Sequence, residues 1–514
     1  MSTGRSIPGS WSTNIYSAFD YCGQLMIDNV IVVVLDALRA DRVKSDDGRD
    51  LTPYLDELAS DSVFFSQAYS TTTATDPAVT SLQTGRHPLS HGVRNHGTHV
   101  TSEEKAAVEA VEAAPEVFKR NGFATSKIGR PLGRWHKRGF DEYPNVSSTH
   151  WHRRAFEKRM SKLLYNVHPS IGDTISGVYN KIFESGETDY AEPEEAADEI
   201  VETLEDDDRA YSFVHWMDTH TPYSAPKGYV EECLDRYEYG DSRSLEAVAS
   251  EYPEESITAN SLRSGGVVYE GSEPWIETES DPETGLIDAR YDAAVRYSDA
   301  KLGALVSELR SRGLYDSTMI VALSDHGESL GEHGIYYEHH GLYECTVRIP
   351  LLLHVPGQQP TEINQLVSIM DVLPTMYDYA GIDDAPPTDG QSLRPVIEDG
   401  ESVDRTEILA GEANAQRRRA ILTDNWKYIR ALDDGTCRYC DRQHAAREEL
   451  YNLEEDPEEN RNVIEENRDI ATDLSARMED RVEELTQNRS ESDGEITYDD
   501  EEEMMDRLEA LGYR

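Results

Sequence analysis

The stretch Ile320–Pro356, IVALSDHGESLGEHGIYYEHHGLYECTVRIPLLLHVP, decides the fold. IVAL at 320–323 and IPLLLHV at 349–355 are continuous apolar runs of the kind that form strands buried on both faces of a parallel sheet. Between them lie Asp325, His326, Glu328, Glu332, His333, Glu338, His339, His340 and Glu344. A strand ending directly in Ser-Asp-His-Gly carries a carboxylate and an imidazole to the carboxyl edge of a sheet, where open α/β folds bind ligands. Asp beside His, with Gly leaving the backbone unobstructed, is a common way to hold a divalent cation. A solvated polar loop would explain any one of these residues. So dense a set between two core strands points to a site.

SDHGESLGEHG followed by GLYECTVRIPLLL resembles the sulfatase branch of the alkaline phosphatase superfamily. The resemblance implies an α/β fold with an alkaline-phosphatase-like central, mostly parallel sheet flanked by helices. A smaller C-terminal α+β subdomain, an antiparallel sheet plus a helix, is expected to follow. The expected catalytic domain covers 29–395, with insertions at about 144–208 and 228–288, and the subdomain covers 396–514 and ends in an acidic tail. The resemblance also makes Asp325 and His326 metal ligands.

Toward the N-terminus, Asn29–Asp36 (NVIVVVLD) reads as a buried strand ending in a carboxylate. A buried carboxylate without a partner is costly, so Asp36 either caps the following segment or meets a cation. LDALRAD resembles the family's opening signature, which makes Asp36 a further metal ligand. Residues 52–60 and 63–69 read as helix and strand. The segment from Ser70 to Val93, aligned through LQTGRHPLSHGV, resembles the family's nucleophile segment. The nucleophile position falls on Thr75 and Pro77 agrees, whereas the usual arginine position is Val79.

That departure changes the expected chemistry. A sulfatase oxidises its Cys or Ser to a formylglycine aldehyde, which requires a primary carbon, and Thr carries its hydroxyl on a secondary one. Thr75 is therefore expected to attack directly, its hydroxyl acidified by a coordinated cation. Family relatives with Thr here are typically phosphodiesterases, nucleotide pyrophosphatases or phosphoglycerol transferases. The residues alone equally allow Thr75 to cap a helix that has Asp76 and Pro77 in its first turn.

Gly122–Arg130 with Gly139–Tyr143 resembles the family segment whose lysine holds the transferred group. Arg130 takes that position; a shifted register would use Gly133-Arg-Trp-His136 instead, and Lys127 is a further substitute. A cation here would bind a sulfate or phosphate oxygen, and Arg can do so bidentately. Tyr211–Tyr223 (YSFVHWMDTHTPY) resembles the family strand whose histidine serves the leaving-group side, so His220 inherits that role; His215, inside the strand, reads as a core histidine. One or both of His339 and His340 should line the pocket. Tyr291–Leu309 reads as an amphipathic packing helix, and Val367–Met376 resembles the helix that closes the large domain. Residues 151–183 read as a basic amphipathic helix lying on the acidic body, or else as a lid for an anionic substrate.

Composition narrows the setting. The chain has 514 residues, with 100 Asp+Glu against 49 Lys+Arg, of which 11 are Lys, and a formal charge of -51. Acid spread along the whole chain, with Arg in place of Lys, suggests a protein for very high salt, where a Debye length of about 3 Å screens the self-repulsion. The apolar strands argue for a packed core rather than disorder. Such a surface argues against nucleic acid and membrane as partners. The opening 28 residues lack the order of a signal peptide, no run of 18 apolar residues occurs, and the five Cys are scattered. The expected location is a high-salt cytoplasm. Cys437 and Cys440 with His444 would make half a zinc site, but no second pair exists, and the segment reads as a surface loop.

The reading is a metal-dependent ester hydrolase acting on phosphodiester, phosphate or sulfate esters. Asp36, Thr75, Asp325 and His326 are the expected metal ligands, and Thr75, His220, His339, His340 and Arg130 the expected catalytic set. One divalent ion is implied: Ca, Mg or Mn from the oxygen-rich ligands, with Zn also compatible. The substrate would be a small anionic ester of a sugar, lipid headgroup or nucleotide. A phosphoglycerol-type transferase and a degenerate member that binds an anionic glycan without turnover are the alternatives.

Overall fold

The computed structural model describes residues 27–488 apart from 46–47, 145–190, 206–207, 222, 240–284, 414, 437–442 and 444. The basic segment 151–183, the Cys437/Cys440/His444 group, the acidic tail and most of both expected insertions lie outside the described residues.

The central sheet is built from β1 (Asn29–Leu35), β2 (Val63–Tyr69), β3 (Ala124–Gly129), β4 (Ala210–Trp216) and β5 (Thr318–Leu323). After a small hairpin of β6 (Ser329–Leu330) and β7 (Tyr336–Glu338), it is completed by β8 (Arg348–His354), β9 (Thr361–Ile363) and β10 (Val367–Ser368). The order is β10-β2-β8-β5-β1-β4-β3, with β9 beside β2. Every neighbouring pair is parallel except those of β8, which runs antiparallel to β5 and β2. This is the expected α/β sheet with mostly parallel strands. β5 returns to β8 through the hairpin and one short helix, Glu344–Val347, instead of the long crossover helix that usually joins parallel neighbours, and β8 runs antiparallel.

β1 is buried along its whole length, and its side chains alternate between two cores. Ile31, Val33 and Leu35 pack with Ile200, Tyr291 and Leu305 on one face. Val30, Val32 and Val34 pack with Val117, Phe118 and Leu373 on the other. Helix Gly285–Arg312 covers the first face, as its apolar spacing predicts, and helix Val372–Ala380 packs on the second. The parallel register places Val34 opposite both His215 on β4 and Leu323 on β5. Three strands therefore end at one level, and the residues just beyond them meet.

A second, antiparallel sheet runs in the order β11 (Ile408–Glu412), β12 (Arg418–Leu422), β13 (Trp426–Ala431), β14 (Glu448–Asn452). Helix Arg468–Gln487 closes one face of it with Leu474 and Met478 against Ile421 and Tyr428. The other face docks on the loop after β7. Lys427, with no exposed side-chain surface, bridges Glu344 (2.7 Å) and Glu459 (2.8 Å). Arg418 pairs with Glu449 at 3.1 Å, and Glu449 accepts the Tyr343 hydroxyl. Glu412 accepts the backbone N–H of Gly341 at 3.0 Å. The loop that carries His339 and His340 is thus held by the second sheet.

Candidate metal centre and nucleophile

Asp36 follows the last residue of β1. The chain turns there through Ala37 at φ +60°, a left-handed conformation that a non-glycine residue adopts only where its surroundings impose it. Here they do: the Ala37 carbonyl accepts the Tyr291 hydroxyl, Leu38 N–H donates to Ser324 Oγ, and Thr219 Oγ1 donates to the Asp36 carbonyl. Asp325 stands two residues past β5 and accepts Ala37 N–H at 3.3 Å. His326 donates from Nδ1 to the Gly327 carbonyl at 2.9 Å, which leaves Nε2 as the lone-pair nitrogen. Gly327 is obligatory, because a Cβ there would lie 2.0 Å from the Cys345 carbonyl oxygen.

These three side chains converge. One donor atom each from Asp36, Asp325 and His326 lies within 4.8 Å of the others, and all three residues are buried. His326 Nε2 is 3.6 Å from Asp36 Oδ1 and 3.5 Å from Asp325 Oδ2. Those two carboxylate oxygens accept no hydrogen bond from the described residues. Burial pushes the Asp36 carboxyl up, but the imidazoles of His220, His215 and His326 outweigh it and hold it below the ordinary carboxylate range. Burial and the Asp36 charge push Asp325 up. Two buried carboxylates with orphaned oxygens and an imidazole lone pair fit a divalent cation, whose charge would favour the ionised form of both and offset the burial that raises Asp325.

Thr75 opens helix Thr75–Thr84, with Ala74 as its cap residue, and its side chain makes no capping bond. Its hydroxyl lies 3.3 Å from His326 Nε2 and 3.5 Å from Asp36 Oδ2. The side chain therefore faces the carboxylate cluster and not its own helix.

Around this centre stand four more imidazoles. His220 donates Nδ1–H to the Thr221 carbonyl at 2.8 Å, and its ring centre is 6.5 Å from that of His326 and 5.4 Å from that of His339. Burial lowers it to about 4, so at neutral pH it offers a lone pair. The His339 ring lies 4.4 Å from His326, whereas His340 turns to Glu338 (3.4 Å) and Glu412 (3.8 Å). His339 is thus the member of the pair that faces the metal cluster. His215 Nε2 is 2.9 Å from Asp36 Oδ2. It is buried, as its place in the strand suggests, and its ring also holds one carboxylate oxygen of Asp36. Glu328 is fully buried, its carboxylate oxygens accept no hydrogen bond from the described residues, and burial with Glu338 and Asp36 nearby raises it well above the usual range.

The cation side departs from simple expectation. Arg130 N–H donates to the His215 carbonyl at 3.2 Å, and the guanidinium charge acts on both His220 and His96. Lys127 is buried, donates to the carbonyls of Ile128 (3.1 Å) and Arg130 (3.0 Å), and is pushed well below the usual ammonium range by burial. Trp135 and His136 fold onto the nucleophile helix: Trp135 Nε1–H donates to Thr80 Oγ1, and His136 Nε2 lies 3.4 Å from Asp76.

A family model described as Sulfatase matches residues 28–382, more than half of the chain. The chain belongs to the sulfatase family. A second model, N-sulphoglucosamine sulphohydrolase, C-terminal, matches residues 331–488, which include the second sheet. Choline-sulfatase of Rhizobium meliloti is 36% identical over 183 residues, which is 34% of this chain and 32% of that protein. The chain thus spans about a third of the choline-sulfatase that it matches. An ulvan-active sulfatase of Formosa agariphila is 24% identical over 434 residues, covering 79% of this chain and 73% of that one. The crystal structure of the phosphonate monoester hydrolase of Agrobacterium radiobacter superposes with a TM-score of 0.62 at 20% identity, over 90% of this chain and 95% of that chain, and so shares the fold.

In this sulfatase-family chain, Asp36, Thr75, Asp325, His326, His220 and His339 come together, His340 sits behind them, and Arg130 stands at the edge. His136, which the shifted register Gly133-Arg-Trp-His136 offers, and His215 and Glu328, which lie inside segments that resemble the family, stand beside them; His96, 3.0 Å from Asp76, belongs to no motif singled out in the sequence. For His215 the placement follows from the strand register: it pairs with Val34, two residues before Asp36.

Proposed function

We propose that the chain is a metal-dependent ester hydrolase that uses Thr75 as its nucleophile, on phosphodiester or phosphate esters ahead of sulfate esters. The observation that carries this reading is the Thr75 hydroxyl, 3.3 Å from His326 Nε2 beside two orphaned carboxylate oxygens. Asp36, Asp325, His326 and Thr75 would hold one divalent ion, Ca, Mg, Mn or Zn, which when bound supplies Lewis-acid charge stabilisation. The hydrolase activity agrees with the names of the relatives, and the phosphonate monoester hydrolase brings a phosphorus centre to the same fold.

The residues divide the work as follows. Thr75 Oγ forms a bond to phosphorus as the bond to the leaving alcohol oxygen breaks. Its proton passes to an imidazole lone pair; His220 offers one, because its Nδ1–H is committed to the Thr221 carbonyl. The imidazolium so formed returns the proton to the leaving oxygen. Water then displaces the phosphoryl group from Thr75: the same imidazole takes the water's proton and returns it to Thr75 Oγ as the bond to phosphorus breaks. Asp36 and Asp325 are held rigidly by the turn at Ala37, so they need no rearrangement during reaction.

A high-salt cytoplasm and a small anionic ester of a sugar, lipid headgroup or nucleotide complete the proposal, on the strength of the -51 charge. No described helix is long and apolar enough to cross a membrane. The test is turnover by metal-stripped protein in molar KCl on bis-para-nitrophenyl phosphate and para-nitrophenyl sulfate, with each metal added back. Phosphodiester cleavage that needs both metal and Thr75 supports the reading. Sulfate cleavage that survives Thr75→Ala contradicts it.

A further inference from the structure

The strand that opens the second sheet, β11, reaches three segments around the proposed nucleophile at once. The Leu409 carbonyl accepts His87 Nε2–H at 3.2 Å, Gly411 N–H donates to the Thr71 carbonyl at 2.9 Å, and Glu412 Oε2 accepts Gly341 N–H at 3.0 Å. Thr71 and His87 flank helix Thr75–Thr84, so β11 fastens the chain on both sides of the helix that carries Thr75. Gly341 directly follows His339 and His340, so the third bond fastens the loop that brings His339 to the metal cluster.

Glu412 supplies that third bond through its side chain. It is buried, and its two oxygens have separate tasks: Oε2 takes Gly341 N–H, and Oε1 takes Gln416 N–H at 2.8 Å from the connection to β12. Oε1 also stands 3.8 Å from His340 Nδ1, while the other nitrogen of that ring stands 3.4 Å from Glu338 Oε2. His340 is thereby lodged between two carboxylates, one from β7 and one from the second sheet. Its neighbour His339 keeps its ring 4.4 Å from that of His326 and 5.4 Å from that of His220. The junction behind them is a glycine at φ +102°, where a Cβ would lie 2.5 Å from the Tyr343 ring. Glycine is conformationally free, so a bond from outside the loop has to fix it, and Glu412 makes that bond.

We propose that Glu412 is a positioning residue for the reaction. It acts through Gly341 and His340 to hold the His339 ring over His326, the imidazole that the Thr75 hydroxyl touches. Because the same strand fastens the nucleophile helix, β11 sets the spacing between nucleophile and imidazole as one piece. The inference rests on the Thr75 reading, since that spacing matters only if Thr75 attacks. A carboxylate suits the task because it offers two acceptors to two N–H donors; a glutamine offers one oxygen and turns its own N–H toward the other donor.

The experiment is a double-mutant cycle on the full chain, metal-loaded in molar KCl at one fixed pH, with bis-para-nitrophenyl phosphate as substrate. Glu412→Gln and Glu412→Ala should each lower kcat/KM of the folded fraction about tenfold or more, while metal affinity stays within about twofold of wild type. In a His339→Ala background the same substitutions should cost less than about twofold, because the group that they position is gone. A merely structural role gives the same fold-loss in both backgrounds. Diethyl pyrocarbonate labelling with peptide mass mapping follows His339 without turnover: its ring is buried, and Glu412→Gln should raise its modification rate at least about threefold. Equal losses in the two backgrounds, or an unchanged modification rate, overturn the role of Glu412 and leave the Thr75 reading standing. If Glu412→Ala does not fold, Glu412→Gln decides; if His339→Ala leaves no turnover to measure, the modification rate decides. Turnover that survives Thr75→Ala overturns the nucleophile reading, and the modification rate still decides whether Glu412 holds His339.

Discussion

The two halves of the pocket are built differently. The metal half comes from residues at the ends of adjacent strands: Asp36 after β1, Asp325 and His326 after β5, His215 near the end of β4. Strand register alone brings these together, since Val34 of β1 pairs with both His215 and Leu323. The other half, proposed to meet the ester, is assembled from parts far apart in sequence: helix Thr75–Thr84, the segment through Trp135 and His136, and the His339–His340 loop clamped by the second sheet. A strand end is rigid and local, and the other half depends on long-range docking. The metal half should therefore fail by losing chemistry, and the other half by losing geometry or stability.

The largest effect is expected at the seam between them. Thr75→Ala should lower kcat on a phosphodiester by about a thousandfold or more, with thermal stability little changed, as a nucleophile at a preorganised site requires. Stopped assays on matched metal-loaded samples check this. If the loss is only a few-fold, the two halves do not meet at Thr75.

Next comes the clamp. Lys427→Met leaves Glu344 and Glu459 facing each other without their buried cation, and should destabilise the chain by about 3–5 kcal/mol. Denaturant unfolding measures the change. Among the described residues no hydrogen bond or ion pair joins the side chains of Asp36, Asp325 or His326 to this triad, so the affinity of the folded fraction for metal should hold.

Third, His215→Ala should weaken metal binding about 10–100-fold, the usual cost of removing a group that orients a ligand. Competitive titration against a chelating dye reads it directly. An unchanged affinity would return His215 to the plain core role that its strand position suggested.

The smallest effect concerns pH. His87 sits beside the nucleophile helix, accepts Leu89 N–H on Nδ1 and donates from Nε2 to the Leu409 carbonyl of the second sheet. Burial lowers it from 6.5 to about 4. The unfolded chain therefore binds the extra proton first as pH falls, so the contribution of His87 is complete above about 6.5 and is lost toward about 4. His87→Gln should flatten the fall in stability across that window by about 1–3 kcal/mol, measured by urea unfolding at stepped pH.

The same division explains what the sequence revealed. The sheet and the meeting of Asp36, Asp325 and His326 were legible because apolar runs that stop in Asp or Asp-His carry their placement with them, whereas the place of Thr75 came from the likeness of its segment to the family's. Of the His339–His340 pair, the sequence left open which member faces the metal, because a loop's register depends on Glu412 and Gly341 pairing across domains. The contacts of His96 and His136 with Asp76 were illegible for the same reason, although His136 itself stood in the shifted register Gly133-Arg-Trp-His136: nothing in the spacing between 76, 96 and 136 encodes them. His215 is buried in its strand as the sequence suggests, and its contact with Asp36 was illegible because it depends on the register of β4 with β1.

The central claim is that Thr75 forms the covalent bond to the transferred group. The direct test is rapid acid quench of the metal-loaded protein with bis-para-nitrophenyl phosphate, followed by peptide mass spectrometry. The account predicts an aryl phosphoryl mass increment on the peptide that contains Thr75, at that residue, and its absence without metal. A label on another residue, or steady turnover with no label on Thr75 at any quench time, would contradict it.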